Sequence, residues 1–325
     1  MKEEEIRPQQ VFEEYLRLAE ADVRRYFLDV PRSEIPCPAC GKEGQFAFLK
    51  KDFEYNECAA CGTLYVSPIP EPEAFIRYYQ ESESAKFWAT TFYQVTAEAR
   101  REKLWRPKAE NVWDILRANN ASSHSLVDIG GGYGIFAEEF FKITGKNVTV
   151  IEPGPLLAKE CRNKGLEVIE AFLDGVRSEQ LPACPKMFVS FELFEHLHSP
   201  GAFIECLAGL MQSGDLFLLT TLSGLGVDIQ ALWEDSKSVS PPHHLNFFNP
   251  YSIRLLLEKS RLQVIQVTTP GKLDIDIICN NVSCIKDRFL RSFVQFAEEK
   301  YKERWQVLIS ETGWSSHMMV LARKP

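Results

Sequence analysis

From residue 125 onward the chain alternates short apolar runs with amphipathic ones. The apolar runs fall at 126–129, 147–152, 166–171, 187–191, 215–221 and 262–269. Between them, 135–144, 155–164, 200–211 and 251–260 carry apolar residues at helical spacing. Short strands that are apolar throughout, separated by helices, predict a parallel sheet covered on both faces: a doubly wound α/β fold. After the sixth strand the pattern becomes a long amphipathic helix with Phe289, Phe293, Phe296, Tyr301, Trp305 and Leu308 on one stripe. His317–Ala322 then reads as a late strand.

The first 120 residues have a different texture. Val11, Phe12, Tyr15, Leu16, Ala19, Val23, Tyr26 and Phe27 recur at helical spacing within 7–30, so one amphipathic helix is expected, ended by Pro31 and Pro36. The proline-rich SPIPEPEA (67–74) reads as a linker. Residues 73–118 read as helical and aromatic, with Pro107 separating two helices or starting the second. Their rings suit either the packing of a lid or the wall of an acceptor pocket. The expected division is 1–34 for the N-terminal helix, 35–70 for a small cysteine-bearing module, 71–120 for the lid and linker, and 121–325 for the sheet domain. Within the last, 271–313 is a helical insertion.

The chemistry begins in that small module. Cys37, Cys40, Cys58 and Cys61 form C-x2-C-x17-C-x2-C. Each pair lets two thiolates converge on one ion, and two such knuckles complete a closed tetrahedral Zn²⁺ site. With four cysteines and no open position, the zinc is expected to be structural. The intervening Phe46, Phe48, Phe53 and Tyr55 read as a hairpin, making the module a zinc ribbon.

In the sheet domain, LVDIGGGYGIFAEEF (126–140) reads as strand, glycine turn and helix. Gly130, Gly131, Gly132 and Gly134 permit positive φ and a close approach of backbone to ligand, and the helix N-terminus suits a carboxylate or phosphate. Asp128 precedes the turn, and Glu152 ends the next strand, where an acid is placed to accept hydrogen bonds from ribose hydroxyls. Two cofactors compete on these residues. Gly132-x-Gly134-x-x-Ala137 fits the dinucleotide fingerprint, a weak signal alone. Asp128-x-Gly130-x-Gly132-x-Gly134 resembles the acidic turn of class I S-adenosylmethionine-dependent methyltransferases.

A second segment decides for the methyl donor. Glu192-Leu-Phe-Glu195-His196-Leu-x-x-Pro200 resembles the E-V-L-E-H-V-x-x-P segment of methyltransferases acting on small molecules, and LMQSGDLFLLTT (210–221) resembles their turn into the fifth strand. The resemblance covers roughly 120–270. It implies a seven-stranded Rossmann-like sheet whose last strand is antiparallel and inserted beside the sixth. It also implies cofactor contacts from Asp128, Gly130, Gly132, Tyr133, Gly134, Glu152, Phe172 and Phe191. Two departures stand out: Lys186 where the family often has an acid, and Asp215 in place of a glycine. The loop 236–250 resembles the family's P-x-H-x-x-x-F, with His244 on the histidine. Methyl transfer to a hydroxyl or acidic carbon needs a base, and histidine ordinarily titrates near neutrality. His244 is the first candidate and His196 the second, with Glu192 positioning the acceptor. His124, His198 and His317 read as incidental.

The family's amine-directed [DN]-P-P-[YF] signature is absent, which disfavours nucleobase or glutamine amines. No carboxylate cluster suggests Mg²⁺, so metal-independent transfer is expected. A zinc ribbon before such a core resembles bacterial methyltransferases of sugar modification, so a sugar or nucleotide-sugar is the expected acceptor, methylated at oxygen or carbon. A nicotinamide oxidoreductase and a catalytically silent zinc-ribbon scaffold are the rival readings.

Composition narrows the partners. The 325 residues are 45% hydrophobic and 25% charged, enough for an ample core. A net charge of −8 argues against a duplex nucleic-acid partner. Nine cysteines, four of them in close pairs, suit a reducing cytoplasm with a metal site rather than a disulfide framework. The acidic N-terminus lacks a signal-peptide pattern, and no apolar run approaches membrane-spanning length, so a cytoplasmic protein with no membrane partner is expected.

Overall fold

The computed structural model describes residues 2–183 and 185–325. Seven strands form one sheet: β1 (Ser125–Ile129), β2 (Val148–Ile151), β3 (Glu167–Ile169), β4 (Lys186–Phe191), β5 (Leu216–Leu222), β6 (Gln263–Thr268) and β7 (His317–Arg323). Each lies within a residue or two of its expected run. Their spatial order is β6-β7-β5-β4-β1-β2-β3. β7 is antiparallel to both neighbours, with Val320 opposite Leu219 of β5 and Val267 of β6. The remaining pairs are parallel, β1 lying between β2 and β4. The strand order reverses between β1 and β4, and open α/β sheets bind ligands beyond the carboxyl ends at such a point.

The period of two sends alternate side chains to opposite faces. Leu126, Met187, Val189 and Leu218 pack under Ala109, Val112, Phe136 and Phe140, from the helices Arg106–Ala118 and Ile135–Thr144. Val127, Phe188, Phe217 and Leu219 face the other way, against Ile204, Leu207, Ile253 and Leu257. Burying each such side chain stabilises the fold by about 1.5–3 kcal/mol. Phe188, fully buried, is a position where truncation to alanine costs about 3–5 kcal/mol.

The long helix expected after β6 is three helices, Asp274–Asn280, Arg288–Phe296 and Glu299–Thr312. Asp287 caps the second by accepting from the Leu290 N–H at 2.6 Å, and Ala297 ends it in extended backbone. The break splits the apolar stripe. Phe293 and Trp305 pack edge to face at 4.4 Å, whereas Phe289 and Phe296 are 73% and 82% exposed. No helix of the described residues is long and apolar enough to cross a membrane.

At the N-terminus the helix Gln9–Phe27 stops short of Pro31. The cysteine module contributes Gln45–Lys50, Phe53–Glu57 and Leu64–Val66 to an antiparallel sheet. Its fourth strand, Asn246–Phe247, comes from the loop after β5. The ribbon therefore packs as part of the sheet domain, and that strand lies next to His244.

Candidate active site

The glycine turn sits at the end of β1. Gly130, Gly132 and Gly134 all have positive φ. A side chain on Gly134 would collide with Leu166 and Cys161, whereas one on Gly132 would meet nothing within 4 Å. The space above Gly132 is open to a ligand. Glu152 reaches this turn from β2. It is buried and accepts the Gly132 N–H at 2.9 Å on one oxygen and the Gly154 N–H at 2.8 Å on the other. Burial raises its carboxyl above the usual range, opposed by those two hydrogen bonds. An ionised carboxylate has about four acceptor directions, so two remain for a pair of hydroxyls. Asp128 lies beneath Gly131, where a side chain would strike it. Burial and the nearby Glu152 charge push Asp128 up to about 7.

The other expected cofactor contacts are more dispersed. Tyr133 stacks on Tyr93 at 3.6 Å and donates its hydroxyl to the Ala89 carbonyl, which ties the turn to the helical cover. Phe191 is buried, edge to face with Phe136 at 4.6 Å. Phe172 is 65% exposed just beyond β3.

Beyond β4 the ELFEH segment presents its polar groups. Glu192 has φ +51°, a strained value for a non-glycine residue. It is held there by the Lys108 ammonium at 3.2 Å and the Thr220 hydroxyl at 2.7 Å. His317 Nδ1 lies 3.5 Å from the same carboxylate oxygen. Burial alone would raise the Glu192 carboxyl, but Lys108, His317 and Thr220 together hold it well below the usual range. His317 thus belongs to this network and is not incidental. Lys108 was not apparent from sequence; a single lysine on a predicted cover helix carries no signal of where it reaches. Its ammonium also lies 4.7 Å from the Phe191 ring centroid.

Glu195, His196 and His244 come together although they lie on different segments. The loop bearing His244 is pinned against ELFEH by the Leu245 N–H on the Glu195 carbonyl at 2.7 Å and the Asn246 amide on the Leu197 carbonyl at 2.7 Å. Tyr55 of the ribbon holds the His244 carbonyl at 2.6 Å. The rings of His196 and His244 are 4.9 Å apart, edge to face. His244 Nδ1 is 2.5 Å from the Ser238 carbonyl, which fixes Nδ1 as the donor and leaves Nε2 with its lone pair. Burial pushes His244 down to about 4 despite that bond, and burial plus the other imidazoles takes His196 well below its ordinary value. Burial and Glu192 push Glu195 up to about 8.

His243 and His198 have structural partners. His243 bonds the Tyr78 hydroxyl at 2.7 Å, and burial pushes it down to about 3. His198 bonds the Pro70 carbonyl at 2.9 Å. Of the aromatic residues ahead of the sheet, Tyr15 and Tyr79 face His243 at 5.8 and 5.6 Å, while Trp88 and Phe92 stack on each other at 4.1 Å. The cover both packs and borders the site.

The four cysteine sulfurs converge as their spacing requires. Sγ–Sγ separations of 3.4–3.5 Å link Cys37 to Cys61, Cys40 to Cys58 and Cys40 to Cys61. Gly41 and Gly62 turn at positive φ and return their N–H groups to the Cys37 and Cys58 carbonyls at 2.8 and 2.7 Å. Four convergent thiols with no open position fit structural Zn²⁺.

A seven-stranded sheet with one inserted antiparallel strand, a glycine turn after β1 and an acid at the end of β2 define a class I S-adenosylmethionine-dependent methyltransferase. The family profile described as a methyltransferase domain matches residues 97–267, more than half of the chain, and the chain belongs to that family. It is similar to the ubiquinone biosynthesis O-methyltransferase of Xylella fastidiosa (strain 9a5c), with 27% identity over 152 residues, 45% of this chain and 61% of that protein. Among solved structures it is similar to the plantazolicin methyltransferase BpumL in complex with SAH, at 12% identity and a TM-score of 0.49, covering 77% of this chain and 93% of that one. It is also similar to a SAM-dependent methyltransferase from Archaeoglobus fulgidus, at 16% identity and a TM-score of 0.44, covering 69% and 97%.

Proposed function

We propose that this protein transfers a methyl group from S-adenosylmethionine to an oxygen or carbon of a small acceptor, a sugar or nucleotide-sugar, in a reducing cytoplasm. The observation that carries the reading is the Glu152 carboxylate. It is anchored by two backbone N–H groups, retains two acceptor directions, and lies beside the open face of Gly132. That arrangement suits a ribose diol. When bound, the cofactor supplies a methyl group activated on a sulfonium.

The chain's own residues then have distinct tasks. The glycine turn and Glu152 hold the donor. Lys108 and Thr220 fix the Glu192 carboxylate at the acceptor side. His244 is neutral near pH 7, and its free Nε2 can take an acceptor proton, a role in which burial makes it a weaker base than an ordinary histidine. The sugar preference rests on the family's association with a zinc ribbon; the similar X. fastidiosa protein is a ubiquinone biosynthesis enzyme.

Calorimetry with S-adenosylhomocysteine and with NAD, side by side, tests the donor. Binding of the first alone is expected, and Glu152→Ala should weaken it by roughly 1.5–3 kcal/mol. Unchanged affinity in that variant would remove Glu152 from the site. Labelled donor incubated with a panel of nucleotide-sugars, read by mass spectrometry, tests the acceptor; labelling of none would withdraw that class.

A further inference from the structure

Glu195 is a buried carboxyl with no lysine or arginine in ion-pair contact among the described residues. Its neighbour Glu192 holds the Lys108 ammonium at 3.2 Å. A buried carboxyl in that position either stays protonated or acquires a cation. Its surroundings are arranged for the second outcome. The Thr221 hydroxyl donates to Glu195 Oε2 at 2.8 Å, and Glu195's own backbone N–H also bonds the carboxylate, which leaves lone pairs for a cation. The Ser238 carbonyl occupies His244 Nδ1 and leaves Nε2 uncommitted. A backbone carbonyl on one imidazole nitrogen and a hydroxyl on one carboxylate oxygen are the outer contacts that orient metal ligands.

We infer that Glu195, His196 and His244 form a site for a first-row divalent cation, distinct from the cysteine site. One donor atom from each lies within 4.8 Å of the others. Bonds of about 2.0–2.2 Å require the three to close by about an ångström, a shift that side-chain rotation supplies. Both imidazoles are only half-buried, so the ion and a ligand have a way in. One carboxylate and two imidazoles suit Zn²⁺, Mn²⁺ or Fe²⁺ and leave coordination positions open.

The inference rests on the methyl-transfer reading for its role. A hydroxyl bound at one of the open positions ionises more readily, its proton passing to water. His244 Nε2 is then a ligand, and the cation takes over the activation of the acceptor. This replaces the expectation of metal-independent transfer, which looked for clustered carboxylates. It also favours oxygen over carbon as the methylated atom.

Mn²⁺ is the probe, because it prefers nitrogen and oxygen donors to thiolates. The full-length protein, its cysteine site loaded with zinc, is titrated with Mn²⁺ and followed by electron paramagnetic resonance. One bound Mn²⁺ per chain is expected, with couplings to two imidazole nitrogens in the pulsed spectrum. His244→Ala should remove one coupling, and His244→Ala and Glu195→Gln should each weaken binding by about 10–100-fold or more. The wild-type couplings carry the test should a variant fail to fold. A free-ion signal undiminished up to millimolar Mn²⁺, or bound Mn²⁺ without nitrogen couplings, overturns the site. S-adenosylhomocysteine binding is measured on the same samples. Protein that binds it but not Mn²⁺ loses only the cation site; protein that binds Mn²⁺ through two imidazoles but not the cofactor product keeps the site and loses the methyl-transfer reading.

Discussion

Lys186 and Asp215 form a buried ion pair, Nζ to Oδ2 at 3.3 Å, across the starts of β4 and β5. The side chains are 3% and 1% exposed. Asp215 also accepts the Lys186 N–H at 2.7 Å and the Gln212 N–H at 2.9 Å. These are the two positions at which the sequence departs from the pattern it resembles, so the two departures are one compensated change. It lies at the amino ends of the strands, away from the crevice.

The pair yields a stability prediction. Lys186→Met strands a buried carboxylate and should cost about 3–5 kcal/mol. Combining it with Asp215→Asn removes the stranded charge and keeps an acceptor for one of the two N–H groups, so much of the loss should return. Urea unfolding of the three variants measures this. A double variant as unstable as the sum of the singles would mean the two side chains act independently.

The cysteine site bears on catalysis through the sheet it organises. The Cys61 carbonyl accepts the Asn249 side-chain amide at 2.7 Å, and Leu64 and Tyr65 pair with Phe247 and Asn246. Tyr55 holds the His244 carbonyl. Stripping zinc from Cys37, Cys40, Cys58 and Cys61 should therefore loosen the histidine loop. Turnover is expected to fall severalfold while S-adenosylhomocysteine affinity changes little, because Glu152 and the glycine turn belong to β1 and β2. Zinc content by metal analysis, turnover and calorimetry on the same sample check this. Equal losses in both would show that the ribbon supports the whole crevice.

Much of this was legible in the residues. The apolar runs located all seven strands, most sharply β1, β2, β4 and β5, which are buried along nearly their whole length. The glycines, the Cys pairs and Glu192, Glu195 and His196 sit in contiguous motifs. Lys108, Thr220 and His317 were opaque, since each arrives from a separate element and only the fold brings it to Glu192. The strand Asn246–Phe247 was hidden for another reason: two residues show no periodicity. The helix break at Ala297 shows in the sequence only as the five-residue step from Phe296 to Tyr301, in a stripe otherwise spaced by three and four.

Glu139 carries a pH prediction. Its buried carboxylate accepts from Arg101 at 2.6 Å, Arg106 at 2.9 Å and Lys142 at 3.0 Å, joining the cover to the helix after the glycine turn. Burial would raise its carboxyl, but the hydrogen bonds from Lys142, Arg101 and Arg106 pull it from 4.5 down to about 2. The folded state binds this proton later than the unfolded state does. The contribution is therefore complete above pH 4.5 and is lost as pH falls towards 2. Discounted for the half-exposed Arg106 and Lys142, it is about 1–2 kcal/mol. Glu139→Gln should lose that much at neutral pH and show a shallower acid limb of stability. Equal slopes in wild type and variant between those two pH values would exclude the linkage.

The last prediction separates the histidines. His244 has its Nδ1 committed to Ser238 and its Nε2 free, whereas His243 is bonded to Tyr78 and His196 lies between them. Whether His244 takes the acceptor proton itself or holds a cation that acidifies the acceptor hydroxyl, His244→Ala should lower turnover by about 10²–10⁴-fold. Cofactor-product affinity should stay near wild type, because the proposed donor contacts are Glu152 and Gly132. His243→Ala should instead lower thermal stability, because it strands the buried Tyr78 hydroxyl on Ser84 alone, and its rate loss should be the smaller. His196 sits next to Glu195 just beyond β4 and between the other two imidazoles, so its loss is expected to affect affinity and turnover together. Direct and cation-assisted roles part in the His244 variant under added Mn²⁺. Partial recovery of rate at high Mn²⁺ means that the variant has lost a ligand; no recovery, with the ion still bound, means that it has lost the base.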